Sequence, residues 1–138
     1  MLPFAWAFDF RKTGLQPSTK ATNFMTIQLE TISDTLGQGT CVGSLTVSTI
    51  DEFRSTVTNW LSSKPEVKQL ILEMSEVDLL DSSGLGGILA MYKIMQEREG
   101  EIIIAALSKK TRMVFEITKA NEIFEIFDTA EEAIAASK

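Results

Sequence analysis

A carboxylate, two hydroxyls and a glycine stand together at Asp81-Ser82-Ser83-Gly84, and of all the side chains in this sequence they are the best placed to do chemistry. The segment lies between a run of strand formers, Gln69 to Met74, and a helical period from Ser83 to Arg98. A helix amino terminus leaves several backbone N–H groups without intrahelical partners; Ser and Asp oxygens accept from them, and anions are stabilised there. The cluster is therefore open to three chemistries: capping alone, nucleophilic attack by a serine, or acceptance of a phosphate. Catalysis lacks its base, because the chain has no histidine and neither a lysine partner nor an oxyanion arrangement stands nearby in sequence. A phosphate on Ser82 would add roughly 1.5 to 2 negative charges at the head of the helix, where N–H groups favour it. Ser83 is the alternative acceptor, since residue chemistry does not separate two adjacent hydroxyls.

Gly84, Gly86 and Gly87 occupy the first turns of the same helix, where each interior glycine costs roughly 1 kcal/mol relative to alanine. A cost repeated at neighbouring positions points to close approach of another backbone. At 100° per residue, Leu85, Ile88, Leu89 and Tyr92 share one face, the expected core contact. Gly84, Gly87, Met91 and Ile94 fall on the face beside it. Together with Asp81, Ser82 and Ser83 they are expected to form a partner-binding track, since small residues admit another backbone and Met adapts to varied shapes. A partner docked there would meet any phosphate on Ser82 beside Asp81, and like charge, bulk and desolvation would weaken its binding.

The elements that must hold this junction are read from period and punctuation. Strands are expected at Ile27 to Ile32 and Thr40 to Leu45, with a turn at Gly37-Gln38-Gly39. Thr49 and Glu52 have capping-box spacing ahead of a helix whose apolar face is Ile50, Phe53, Val57, Trp60 and Leu61, stopped at Lys64-Pro65. After the Gln69 to Met74 strand and the Ser83 to Arg98 helix come a strand from Glu101 to Ala106, a helix from Lys109 to Thr118, a strand from Phe124 to Phe127 and a helix from Thr129 to Ala136. The order ββαβαβαβα implies an α/β fold, a mixed sheet of about five strands with about four helices, antiparallel at its first hairpin and parallel thereafter. In such sheets the loops leaving the carboxyl ends of the strands form the functional edge, and Asp81 lies in one of them.

Composition narrows the function classes. In 138 residues, 44% hydrophobic and 23% charged, one globular domain is expected. A net charge of −6 disfavours direct binding to nucleic acid or anionic membranes. The longest apolar runs, such as Ile102 to Leu107, fall well short of the roughly 20 residues needed to cross a bilayer as a helix, so no membrane insertion is expected. Cys41 is the sole cysteine, which removes intramolecular disulfides and paired-thiol metal motifs; it reads as a small buried apolar residue. No metal or cofactor pattern is present. Residues 1–24 differ in texture, with Phe4, Trp6, Phe8 and Phe10 alternating ahead of a polar stretch, and read as a flexible amino-terminal extension to a domain of residues 25–138. Arg11 and Lys12 follow the apolar run rather than precede it, which argues against a signal peptide.

From about Thr26 to Ala136 the sequence resembles the STAS-domain anti-sigma factor antagonists. The resemblance rests on Asp81-Ser82-Ser83-Gly84-Leu85-Gly86, with Gly43-Ser44-Leu45, Leu70-Ile71-Leu72-Glu73-Met74 and Phe124-Glu125-Ile126-Phe127 in support. It implies a cytoplasmic, non-enzymatic regulator whose unphosphorylated form holds an anti-sigma factor. That partner would have serine kinase activity towards Ser82, and a serine phosphatase would reverse the modification. Domains of this type also serve as interaction subunits of other regulatory or lipid-transport assemblies, which is the alternative the resemblance implies. Two positions depart from the family pattern: Thr46 stands where members commonly carry an acidic residue, and Ala120-Asn121 where they carry Gly-Leu. Lys109, Lys110 and Arg112 form a small basic cluster, read as a solvated helix start.

Overall fold

A computed structural model describes residues 24–137 of the protein. Strands β1 (Met25–Thr31) and β2 (Leu36–Leu45) form an antiparallel hairpin, after which α1 (Ile50–Ser62), β3 (Gln69–Leu80), α2 (Ser82–Glu97), β4 (Glu101–Ala105), α3 (Lys109–Ile117), β5 (Glu125–Phe127) and α4 (Ala130–Ala136) follow. The five strands lie in sequence order, with β2 to β5 mutually parallel. This is the ββαβαβαβα mixed sheet expected from the sequence, with one 3-10 turn, Ala120–Glu122, added before β5. The expectations for residues 1–23 lie outside the described residues.

The alternation of side chains along a strand divides the core in two. Leu70, Leu72 and Met74 of β3 point to one face, where they meet Phe53, Val57 and Leu61 of α1, Leu85, Ile88, Met91 and Met95 of α2, and Phe115 of α3. Ile71 points to the other, where it joins Leu36, Ile103, Ala105 and Ala133 of α4. Tyr92 and Phe115 both meet Phe124 edge to face, at centroid separations of 5.4 and 6.0 Å, which ties α2 and α3 to the segment entering β5. Cys41 is 1% exposed, and burial, aided by the nearby Glu73 charge, pushes its thiol up from 9.0 to about 12.

Several boundaries move from their expected places, each for a local reason. The hairpin bends at residues 32–35, and Gly37 to Gly39 lie inside β2. A Cβ at Gly37 would stand 2.6 Å from Cη2 of Trp60, so glycine there leaves room for the indole of α1 rather than making a turn. Strand β3 continues to Leu80 instead of ending at Met74, because it keeps pairing with β2 through Leu45↔Leu80. Register shifts at Thr40/Val42 and Gly43/Ser44 disturb the strict alternation in this stretch, which hides it from a period-two reading. Thr49 precedes α1 but makes no side-chain cap bond; its Oγ1 donates to the Ser44 carbonyl at 2.7 Å. The left-handed residue after α3 is Lys119 at φ 63°, so the departure at Ala120-Asn121 is accommodated one residue earlier, with Ala120 buried. Arg98, just past α2, donates to the carbonyls of Leu61, Lys64 and Val67 at 3.0 to 3.1 Å, joining the end of α1 to the entry of β3.

Candidate functional site

β2 and β3 are parallel neighbours, so the loops leaving their carboxyl ends emerge side by side, and Asp81 bonds them together. Its backbone N–H donates to the Leu45 carbonyl at 3.3 Å. Its Oδ1 accepts from the Gly84 N–H at 2.8 Å, which makes it the N-cap of α2, and its Oδ2 accepts from the Val47 N–H at 3.2 Å. One carboxylate therefore fixes both the head of α2 and the β2–α1 loop. That loop is stiffened from below: Ser44 Oγ donates to Asp78 Oδ1 at 2.9 Å, and Thr49 Oγ1 accepts from the Thr46 N–H at 3.0 Å. Ser44, Thr46 and Thr49 are the buried polar side chains around this loop. With its cap removed, Asp81→Ala is expected to lower unfolding free energy by about 1–2 kcal/mol. Hydrogen exchange at the Val47 and Gly84 amides should accelerate, while Asp81→Asn keeps most of both effects at bay. Urea denaturation and amide exchange check these outcomes.

Ser82 opens α2 at its first helical position and is exposed, whereas Ser83 is half-buried. Neither hydroxyl has a hydrogen-bond partner among the described residues, so both are available without breaking an existing bond. Exposure distinguishes the two hydroxyls, Ser82 being the more open to solvent. The first turn of α2 contains no acidic residue, and its N–H dipoles meet solvent at Ser82 with no side-chain anion beyond the Asp81 cap.

The structure corrects the expected track. Gly84, Gly87 and Met91 are buried, and this stripe is where α2 packs on its own domain. A Cβ at Gly84 would overlap the Leu45 carbonyl oxygen, and one at Gly87 would overlap Cδ1 of Ile50. The close backbone approach read from these glycines holds at Gly84 alone, where the partner is the Leu45 carbonyl of β2 in the same chain; at Gly87 the neighbour is the Ile50 side chain of α1, and Gly86 faces open space. Ile94 is half-buried, as are Leu89 and Tyr92, which had been expected in the core with Leu85 and Ile88. The outward line from Ser82 instead passes through Gly86, around which a Cβ would meet nothing within 4 Å, then Leu89 and Ala90, to exposed Lys93. Val47, 68% exposed beside Asp81, extends this apolar edge onto the neighbouring loop. Sequence reasoning missed Val47; the signal was Thr46-Val47-Ser48-Thr49, an apolar residue among hydroxyls directly after a parallel strand.

A five-stranded mixed sheet carrying a capped Asp-Ser-Ser-Gly junction at the carboxyl edge of β3 defines an α/β domain with an exposed helix head. Residues 26–133 match the STAS domain, and the chain belongs to that family. Over 57 residues it is 35% identical to the anti-sigma-B factor antagonist of Listeria monocytogenes, a match covering 41% of this chain and 50% of that one. The chain thus spans about half the length of this curated relative. Over 77 residues it is 34% identical to high affinity sulfate transporter 1 of Stylosanthes hamata, covering 54% of this chain and 12% of that one. The fold is similar to the anti-sigma factor antagonist SpoIIAA in its unphosphorylated form, with a TM-score of 0.69, 23% identity and coverage of 79% of this chain and 93% of that one. For Bacillus SpoIIAA in the phosphorylated form the TM-score is 0.65, at 22% identity over 82% of this chain and all of that one (100%).

Proposed function

We propose that this chain is an anti-sigma factor antagonist of the cytoplasm, acting by binding rather than catalysis and switched by phosphorylation of Ser82. Unphosphorylated, it holds an anti-sigma factor through Asp81, Ser82, Ser83 and the adjoining outward line of α2, with Ile94 at its margin. The anti-sigma factor, acting as a serine kinase, modifies Ser82 and is released; a serine phosphatase restores binding. No cofactor, direct nucleic-acid contact or membrane insertion belongs to this scheme, and among the described residues no helix is long and apolar enough to cross a membrane.

The observation that carries the reading is the state of Ser82: exposed, without a hydrogen-bond partner, and set at the open head of a helix whose own cap is Asp81. A phosphate there meets Ser82 and Ser83 N–H groups on the protein side and confronts a docked partner on the other. The similarity to an antagonist from Listeria and to SpoIIAA supports the same role. Incubation with a serine kinase of the anti-sigma class and ATP should place a single phosphate on Ser82, mapped by mass spectrometry, and Ser82→Ala should leave the protein unmodified. Phosphate on Ser83 alone would move the site; no phosphate on either would sink the switch.

The match to a sulfate transporter favours one other reading, in which the chain is an interaction subunit of a transport or regulatory assembly. A pull-down with the unphosphorylated protein separates the two, since recovery of a transporter subunit in place of a kinase selects the second.

A further inference from the structure

A second surface, remote in sequence from Ser82, is built on α3. Phe115 is fully buried, and the helical positions opposite it are Met113, Ile117, Lys110 and, at the edge, Lys109. Met113 is 54% exposed and Ile117 74%, and Ile123, just past the following turn, is 46% exposed. These are half of the six exposed large hydrophobic residues described, gathered in one short segment. Lys109 and Lys110 open this helix and Lys119 follows it, all exposed, and none has an ion pair among the described residues. Arg112 points away from this line and pairs with Asp128 at 3.5 Å. In a chain of 13 cations and 19 anions, residues 109–119 hold four of the cations and a single anion, Glu116. Residues 109–119 are thus a basic segment of an acidic chain, and the same segment carries exposed apolar side chains, with Glu116 and Glu122 as the acidic residues up to Ile123.

We infer that the outward face of α3 docks an acidic amphipathic helix of a partner protein, its carboxylates against Lys109, Lys110 and Lys119 and its apolar side chains on Met113, Ile117 and Ile123. Charge complementarity selects this occupant: the basic border attracts carboxylates, and the apolar centre needs a partner with a matching stripe. A lipid surface would meet the same basic border, and the vesicle arm of the test separates it from a protein partner. This inference does not depend on the role given to Ser82, and it goes beyond that role by adding a second interaction.

The test uses the full isotope-labelled chain and three probes. One is a synthetic helical peptide with leucines at i, i+4 and i+7 flanked by glutamates; the second has lysines for the glutamates; the third is a phosphatidylserine vesicle. The glutamate peptide should give saturable NMR shifts confined to residues 109–123, weakened by raised salt. Ile117→Ser, and Lys109→Glu with Lys110→Glu, should each reduce its affinity by at least about tenfold. All these side chains are exposed, so thermal melts of the variants should match the parent, and Ser82→Asp should bind the peptide as the parent does. The inference is overturned by absent shifts, by shifts centred elsewhere or by equal binding of the lysine peptide. It is also overturned if the same variants abolish vesicle binding, or if Ile117→Ser removes a dimer seen by sedimentation, since the face would then serve a membrane or a second copy.

Discussion

Ser82→Asp should weaken binding to the kinase partner by at least about a hundredfold, or ~2.7 kcal/mol, while Ser82→Ala stays within about threefold of the parent. The sign follows from where the charge sits in the two states. In the free protein it lies at the first position of α2, exposed, where the helix dipole stabilises an anion by about 0.3–1 kcal/mol. The melting temperature of Ser82→Asp should therefore hold or rise slightly. In the complex the same carboxylate is covered beside Asp81, and both desolvation and like charge act against it. A phosphate carries more charge and bulk and should weaken binding further than Asp does. The pairing of a lost complex with an undiminished fold is what distinguishes a switch from a destabilised mutant. Calorimetry of binding and thermal melts on the same preparations read both. Parent-like affinity of Ser82→Asp, or a melting temperature lowered in step with the affinity, would remove the proposal.

Much of this arrangement was legible in the sequence because local chemistry and tertiary position agree there. Asp81 before two serines reads as a helix cap, and it is one. The alternation of strand formers with helical periods yields the elements in their observed order along the chain and a mixed sheet. What stayed hidden depends on contacts distant in sequence. Whether Gly84, Gly87 and Met91 face a partner or their own domain turns on how α1 and β2 sit against α2, and no periodicity within α2 carries that information. The tail of β3, Ser75 to Leu80, lost its alternation because β3 takes one extra residue between Glu73 and Glu76 and another between Val77 and Leu79 against its partner β2. Thr49 has capping-box spacing, yet its hydroxyl is taken by the Ser44 carbonyl five residues back.

Gly84 gives the second large effect, and its sign can be argued against the intrinsic preference. In an unconstrained helix, glycine to alanine gains about 1 kcal/mol. At Gly84 the new methyl would overlap the Leu45 carbonyl oxygen and come within 2.7 Å of its carbon. Neither atom can rotate aside, since Leu45 is the 0%-exposed end of β2 and its carbonyl also accepts from the Asp81 N–H. The head of α2 must therefore lift, stretching the Asp81 cap and its bond to Val47 together. Overpacking of this kind costs about 1–3 kcal/mol or more. Gly84→Ala is accordingly expected to destabilise by about 3 kcal/mol, a large part of the ~5–15 kcal/mol that holds a domain folded. Gly87→Ala should cost less, because the obstructing atoms, Cδ1 and Cγ1 of Ile50, belong to a side chain that can turn, whereas the Leu45 carbonyl cannot. Gly86→Ala is the control within the same turn: its methyl meets nothing within 4 Å, so it should gain up to about 1 kcal/mol. If Gly86 lies under a partner as proposed, that same variant should bind more weakly while folding more firmly. Urea denaturation of the three variants orders them, and equal stability of Gly84→Ala and Gly86→Ala would contradict the packing of α2 on β2.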